Sequence, residues 1–342
     1  MKRFLIEILL FFLCPLIGLT ILYFVTDPYK TIKPFSLEYF DTANRDYLSS
    51  ELFLMNEPEQ QYNAFVFASS RGGGINTYHW KKYLPENAHP FLFQAWAETI
   101  TGIEQKITYI YEHDIPLDYA LILLDITGTF TNNQNPRNAI ALKDPRITGQ
   151  PGWKHQMILL YDFLQKPSQW TEAVKNRIPP TKPKVLFDPI SNDWDGRNKN
   201  VDISIPPEKD SLNNMSRRTK TAFFMEIHDK TDDDLKSYQP LIDDHFAKQF
   251  ENIRSMFEAK ETDYRIIITP GYCYTSYAIS QEDLDFLRTV FGSDKVYDFS
   301  KKNVLNSDYN NFSDPNHFGL YVGWHIIEDI YNPDYSFEKA GR

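Results

Sequence analysis

The sequence has few of the features that mark several common classes of protein. It contains only two cysteines, Cys14 and Cys273, in 342 residues, which is too few for a disulfide framework or a zinc site. Its formal net charge is −10, and it has no lysine or arginine run that would outweigh this charge. Nucleic acids and anionic lipid surfaces favour basic patches. The composition therefore argues against both as general partners, and we expect no nucleic-acid partner.

Motifs for metal ions and phosphate groups are also missing. The glycines Gly72–Gly74 match neither G-x-x-x-x-G-K-[ST] nor G-x-G-x-x-G. We expect no cofactor and no metal. Seven of the eight histidines show no H-x-x-x-H or H-E-x-x-H spacing and are interpreted as surface or core residues: His79, His89, His113, His155, His228, His245 and His325.

One long apolar run is present, and no other run approaches its length. It extends from Phe4 to Val25 after Lys2 and Arg3, and as a helix it would span about 33 Å. This predicts an uncleaved transmembrane anchor (residues 1–26) in the lipid bilayer through residues 4–25. The basic start predicts a single-pass protein with a cytoplasmic N-terminus and an extracytoplasmic main domain, periplasmic or at the cell surface. A cleaved signal peptide is the alternative, although "YFVTDPYK" lacks its small-residue cleavage site.

Short apolar runs separated by helical patterns predict the fold class. Continuous apolar strands that alternate with helices are typical of an α/β protein with a mainly parallel sheet of roughly five strands. Residues 27–60 are interpreted as a connector and first helix, and residues 61–342 as the main domain. The runs are "AFVFA" (64–68), "PFLFQ" (90–94), "YALILLDI" (119–126), "YRIIITP" (264–270) and "KVYDF" (295–299).

A large insertion is predicted after the third strand, at residues 131–235. This segment is rich in proline, aspartate and asparagine and shows no clear strand–helix unit. Ligands bind at the carboxyl ends of the strands in open α/β sheets. We therefore expect the insertion to border a cleft at that end. The alternative is a surface elaboration without a role in function.

Two short motifs combine residue types that suit nucleophilic catalysis. In "FASSRGGG", Ser70 follows the first strand, where a nucleophile would be exposed, although a serine before glycine is also ordinary turn and N-cap chemistry. In "SDPNHF", Asp314 lies three residues before His317 and could orient its imidazole as a base. Alternatively, Asp314 caps the helix that follows, with Pro315 at its first position.

Both motifs resemble blocks of the SGNH (GDSL-like) hydrolase superfamily, over about residues 60–130 and 262–332. "FASSRG" resembles its first block and "SDPNHF" its last. The resemblance implies a three-layer αβα domain with a flavodoxin-like sheet, in which Ser70, His317 and Asp314 form the catalytic triad. The membrane-anchored layout is similar to the branch that includes alginate O-acetylation proteins and the D-alanyl transfer protein of lipoteichoic acid synthesis.

The resemblance also implies an oxyanion hole built from several blocks. Ser70 N–H is one candidate donor. The second block has no glycine before Gly102 here, so Ala97 is the candidate in its place. The G-x-N-D of the third block is replaced by "LLDITGTFTNN", which leaves two asparagines as candidates. They are Asn132 and Asn133, and the candidates for lining the cleft are Arg71, Asp125, Tyr272 and Tyr274.

These observations predict a serine esterase or O-acyltransferase of the cell envelope. Its expected substrates are acyl (acetyl) esters of an envelope polysaccharide or lipid, and the expected partners are an envelope glycan or acyl donor. The second and third blocks depart from the family pattern, and this motivates an alternative. In it the chain is a catalytically degraded SGNH-like protein that binds glycan or partners a multi-pass membrane acyltransferase.

Overall fold

The structure of the chain is a computed structural model. It describes residues 2–34, 45–126, 128–131, 142–175, 187–194, 239–272, 278–314 and 316–335. The helices, in chain order, are α1 (Lys2–Thr26), α2 (Arg45–Gln60), α3 (Thr77–Lys81), α4 (Ile100–Glu112), α5 (Pro145–Thr148), α6 (Gly152–Leu164), α7 (Pro167–Lys175), α8 (Asp244–Ala259), α9 (Gln281–Phe291) and α10 (Leu320–Tyr331), with short 3₁₀ turns at Ser70–Gly74 and Tyr309–Asn311.

The contacts within the chain define two compact units. The first unit combines Met1–Glu51 with Gln134–Val185. The second combines Leu52–Asn133 with Leu186–Arg342 and contains every strand named below. The first unit therefore brings α1 together with a stretch that lies more than a hundred residues later in the chain.

A five-stranded parallel sheet is the main feature of the second unit. Its strand order is β2-β1-β3-β4-β5, and each neighbouring pair is parallel. The predicted α/β class and the five parallel strands are confirmed. The strands are β1 (Ala64–Ala68), β2 (Pro90–Gln94), β3 (Tyr119–Leu124), β4 (Asp263–Ile268) and β5 (Val296–Asp298), and a separate antiparallel pair is formed by β6 (Phe312–Asp314) and β7 (His317–Phe318).

The two faces of the sheet bury different side chains, because successive residues of a strand point to opposite sides. Val66 of β1 belongs to a buried cluster that includes Val322 of α10. On the other face, the ring of Phe53 from α2 lies 5.9 Å from the ring of Phe65 and 5.0 Å from the ring of Phe93. Both faces are apolar, which explains why the strands are continuous apolar runs in the sequence.

A short segment, residues 187–194, covers the outer edge of β2. The amide of Leu92 donates to the carbonyl oxygen of Ser191 at 2.9 Å, and the side-chain amide of Asn192 donates to the carbonyl oxygen of Leu92 at 2.6 Å. Asp193 anchors the segment to the start of α3, since its carboxylate accepts from the hydroxyl of Thr77 at 2.7 Å. These bonds satisfy backbone groups that an edge strand would otherwise expose.

The first unit is built around the end of α1. Among the described residues, α1 is the one helix that is long and apolar enough to cross a membrane. Only 6% of its most apolar 18-residue stretch is buried. After that exposed stretch, Tyr23 is fully buried. It belongs to a small core cluster with Tyr29, Leu142, Leu159, Phe163 and Ala173.

Candidate active site

The turn that follows β1 separates two adjacent serines into different roles. Ser69 is buried and caps the 3₁₀ turn, because its carbonyl oxygen accepts from Gly72 N–H at 2.9 Å and its hydroxyl lies 3.4 Å from Arg71 N. Ser70 is the first residue of the turn and is only partly buried. The hydroxyl of Ser69 is therefore used in the cap of the turn. The hydroxyl of Ser70 is not used in this cap and lies at the carboxyl end of β1.

The structure brings the three residues of the predicted triad together. The hydroxyl of Ser70 lies 2.7 Å from Nε2 of His317, although 247 residues separate them in the chain. The other ring nitrogen of His317, Nδ1, lies 2.7 Å from Oδ2 and 2.9 Å from Oδ1 of Asp314. Serine, imidazole and carboxylate thus form one continuous hydrogen-bonded chain, in the order that a nucleophile, its base and an orienting group require.

The hairpin of β6 and β7 holds the carboxylate and the imidazole in register. Asp314 pairs with His317 across the two strands. Oδ1 of Asp314 also accepts from the backbone amides of Asn316 at 2.8 Å and His317 at 3.1 Å. The structure does not show Asp314 as a helix cap, because α10 begins at Leu320 and Gly319 occupies its N-cap position.

Hydrogen bonding keeps the Asp314 carboxyl ionised. Burial raises its pKa, but the hydrogen bond and charge of His317, with the amides of Asn316 and His317, outweigh burial, so its pKa lies below the ordinary value. The side chains of His317 and Asp314 are 36% and 34% exposed. The pair is therefore open to solvent on one side, as a group that must exchange protons with a substrate requires.

Two glycines let the hairpin and α10 approach the serine turn. A Cβ on Gly74 would collide with the ring of Phe318 and would lie 2.9 Å from the carbonyl oxygen of the same residue. A Cβ on Gly323 would overlap the carbonyl oxygen of Gly74. Since Phe318 follows His317 directly, this close approach is what brings the imidazole to Ser70. At Gly73, by contrast, a Cβ would make only ordinary contacts at 3.7 Å, with Trp194.

Ala97 lies on the loop that follows β2. The end of β2 is aligned with the end of β1, and Ala95 N–H donates to the carbonyl oxygen of Ala68 at 3.1 Å. Ala97 is exposed and has a φ of 50°, a left-handed conformation that favours glycine. The other two oxyanion candidates, Asn132 and Asn133, lie outside the described residues.

The three candidates for lining the cleft that the structure describes are all buried. Asp125 closes the turn after β3 by accepting from Gly128 N–H at 2.5 Å. Arg71 is 2% exposed and donates to the hydroxyl of Thr269 at 2.9 Å. Tyr272 is 4% exposed, and its ring packs 5.9 Å from that of Phe312 in β6. Their side chains therefore pack inside the second unit, and Tyr274 lies outside the described residues.

Trp194 is a neighbour of the site that the sequence does not indicate. It belongs to the predicted insertion, and its side chain lies 3.7 Å from the position of a Cβ on Gly73. Side chains three residues apart in a 3₁₀ helix eclipse each other, so Gly73 and Ser70 share one side of the turn. Trp194 therefore flanks the turn on the side of the serine. No local signal marks it, because more than a hundred residues separate it from Ser70.

The described residues offer no metal site, and comparisons with known proteins do not assign the candidate active site to a family. Within the part of the chain that the structure describes, no group of three or more His, Cys, Asp or Glu side chains could hold a metal ion. No model of a known protein family matches the chain, and no curated protein matches its sequence.

Proposed function

We propose that the chain is a serine esterase or O-acyltransferase of the SGNH type, with Ser70 as nucleophile, His317 as base and Asp314 as orienting group. The observation that carries the proposal is the hydrogen-bonded chain from Ser70 Oγ to Nε2 of His317, at 2.7 Å, and from Nδ1 to Asp314. A helix cap or an ordinary turn needs no such series of hydrogen bonds. Its members come from both ends of the domain, so local structure alone does not explain it.

The topology of the sheet supports the same proposal. The order β2-β1-β3-β4-β5 is the flavodoxin-like order, in which ligands bind where the strand order reverses, between β1 and β3. Ser70 follows β1 at this point. We infer a three-layer arrangement, because Val66 packs towards α10 while Phe65, on the opposite face, packs towards α2.

The geometry allows a complete acyl transfer. As the Ser70 oxygen attacks the carbonyl carbon of an ester, its proton passes to Nε2 of His317, and ionised Asp314 stabilises the imidazolium. When the tetrahedral intermediate collapses, the bond to the alcohol breaks and Nε2 returns the proton to that alcohol. Water or a second hydroxyl then attacks the acyl-serine by the same route in reverse. The Ser70 and Ala97 amides are the proposed donors to the oxyanion.

The proposed location is outside the cytoplasm, with α1 as an uncleaved anchor. Lys2 and Arg3 before the apolar run favour a cytoplasmic start. The end of α1 also contributes to the core of the first unit, since the Tyr23 hydroxyl donates to the side chain of Gln156 at 2.7 Å. Cleavage after the apolar run would remove Tyr23 from that core. In this location the proposed substrate is an acyl ester of an envelope polysaccharide or lipid.

A fluorophosphonate probe tests the proposal directly, because it forms a covalent bond with an activated serine and releases fluoride. We expect the purified full-length protein and its Ser69→Ala variant to be labelled and Ser70→Ala to remain unlabelled. Ser69→Ala is the matched control, since it removes the neighbouring hydroxyl and leaves the triad intact. Labelling that persists in Ser70→Ala would reject Ser70 as the nucleophile. Absence of labelling from a folded wild-type protein would reject the catalytic assignment and favour a binding role.

A further inference from the structure

Helix α6 exposes a row of large apolar side chains to solvent. Trp153, Met157 and Tyr161 are spaced four residues apart, so they lie along one side of the helix, and they are 71%, 58% and 45% exposed. We call these three residues the α6 stripe. Single exposed apolar side chains are common on protein surfaces, but contiguous apolar patches mark sites of protein or membrane contact.

The opposite side of α6 is already buried in the first unit. His155, Leu159 and Asp162 face inwards, and Leu159 and Phe163 belong to the core cluster of that unit. The helix is therefore apolar on its solvent side as well as partly apolar on its core side. A helix that is apolar on several sides is normally covered on all of them.

The end of the proposed membrane helix packs directly against α6. The Tyr23 hydroxyl of α1 donates to Oε1 of Gln156, and the Gln156 amide donates to the hydroxyl of Thr31 at 3.1 Å. The rings of Tyr23 and Phe163 lie 5.6 Å apart. Both contacts with α1 come from Tyr23, so the end of α1 touches α6 at Gln156 and Phe163, on a flank next to the stripe.

The length of α1 requires the part of the first unit that contacts its end to approach the bilayer. All described side chains of α1 up to Gly18 are exposed, and packing against the unit begins at the next turn. Residues 2–18 of a helix span about 25 Å, whereas the hydrocarbon core of a bilayer is about 30 Å thick. If α1 spans the bilayer, the part of the unit that contacts its last two turns must therefore reach the lipid interface.

From these observations we infer that α6 lies in the lipid–water interface of the membrane that α1 crosses, with the α6 stripe inserted at the boundary between headgroups and acyl chains. Tryptophan and tyrosine are the residues enriched at this depth. The binding is apolar rather than electrostatic, in agreement with the net charge of −10. The α6 stripe would thus be a second membrane contact besides α1, and it would limit the tilt of the first unit relative to the bilayer. The inference rests on the proposed anchor and is independent of the catalytic chemistry.

Depth-dependent quenching in vesicles tests the inference with the full-length protein. A Met157→Cys variant with Cys14→Ser and Cys273→Ser is labelled with the fluorophore NBD and placed in phosphatidylcholine vesicles that carry a nitroxide high on the acyl chain. The matched control is Ser168→Cys in the same background, because Ser168 is also exposed in the first unit and follows α6 at the start of α7. A third protein keeps Cys14, which is exposed on α1, as its single label site.

We expect the label at position 157 to be quenched by the nitroxide lipid about twice as strongly as the label at position 168, and to be protected from aqueous iodide. Equal quenching at both positions, or free access of iodide to position 157, overturns the inference while quenching at Cys14 retains the anchor. Protection from both quenchers also overturns it, since a second copy of the chain would then cover the stripe. No quenching at Cys14 rejects the anchor itself and, with it, this inference.

Discussion

Two histidines of the second unit each contact a carboxylate, and they differ in what their second nitrogen can reach. His317 directs Nδ1 to Asp314 and Nε2 to the hydroxyl of Ser70. His79, on α3, directs Nε2 to Glu328 of α10 at 2.9 Å, and its Nδ1 has no hydrogen-bond partner among the described residues. The ring of His79 also stacks on that of Trp324, with the centroids 5.3 Å apart.

Exposure separates the two pairs more sharply than their hydrogen bonds do. The side chains of His79 and Glu328 are 2% and 8% exposed, whereas those of His317 and Asp314 are about one third exposed. A substrate cannot reach an imidazole that is covered on every side. The buried pair joins α3 to α10, and the open pair has the access that the proposed proton transfer needs. A histidine and a carboxylate in contact therefore do not identify a catalytic pair until their access to solvent and to a nucleophile is known.

The largest expected effect separates the two histidines by activity. We expect His317→Ala to lower kcat for an aryl acetate by about 10⁶-fold, because the serine loses its base. His79→Ala should keep kcat within a few-fold but lower the melting temperature, because it leaves a cavity and removes one hydrogen-bond partner of Glu328. Steady-state kinetics and thermal unfolding of both variants provide the comparison. Similar losses of kcat in the two variants would contradict it.

The carboxylates of the two pairs should differ as the histidines do: a change at Asp314 should lower kcat, and a change at Glu328 should lower stability. The effect on kcat should be smaller than that of His317→Ala. Asp314→Asn keeps the shape of the side chain but favours the wrong tautomer of His317, and we expect a loss of about 10⁴-fold in kcat. Glu328→Gln should cost about 1–3 kcal/mol of stability, since the buried His79 and the partly buried Tyr83 lose a charged acceptor. Denaturant unfolding measures that cost. An Asp314→Asn variant with normal kcat would show that this carboxylate has no orienting role.

The glycines test whether close approach positions the open pair. Gly74→Ala must displace Phe318 and the adjacent His317, and a displacement of about 1 Å lowers rates by roughly 10²-fold. Gly73→Ala is the control, because its Cβ meets Trp194 at an ordinary 3.7 Å. We expect kcat to fall in the first variant and to stay near the wild-type value in the second. Equal losses of kcat in the two variants would mean that the turn tolerates a side chain at neither position, whatever that side chain contacts.

The smallest expected effect is a dependence of stability on pH that belongs to the buried pair. Burial lowers the pKa of His79, Glu328 raises it and Lys82 lowers it, and the net direction is downward from 6.5. Below that pH the unfolded chain binds a proton at His79 that the folded protein does not. The contribution of His79 to the free energy of unfolding should therefore fall as the pH decreases from about 6.5, by at most about 1.4 kcal/mol per pH unit.

The variant His79→Gln should remove this part of the pH dependence, because glutamine does not titrate. Chemical unfolding of both proteins at several values of pH between 5 and 7.5 measures the difference in slope. The carboxylate of Glu328 does not account for it, since its own pKa is lowered and lies further from this range. Parallel curves for wild type and variant would place the titration elsewhere in the molecule.

The strands and main helices could be predicted from the sequence because their signals are local. Ala64–Ala68 and Pro90–Gln94 were predicted with the bounds that the structure has, since continuous apolar runs between turns have few other interpretations. Ser70, Asp314 and His317 could be named as candidates from motifs, but their contact could not be established from spacing.

Other features could not be predicted, either because one motif suits two local structures or because the contacts join distant segments. The motif "SDPNHF" resembles the start of a helix, yet hydrogen bonds from Asn316 and His317 to Asp314 shape it into a hairpin. Tyr272, proposed to line a cleft, is buried under that hairpin. The role of Gly74 becomes visible only when Phe318 lies against it. None of these contacts has a signature in the residues that flank it.

By itself the amino-acid sequence determined the α/β class, the five strands, the apolar first helix and three residues with the chemistry of a triad. These follow from periodicity, run length and residue type, which act over a few residues. The tertiary structure decided which of the two serines is presented and which of the two histidines is open to solvent. It also decided that the glycines serve close approach. Such properties depend on packing between segments as far apart as Ser70 and His317, where burial and distance are set by the whole fold.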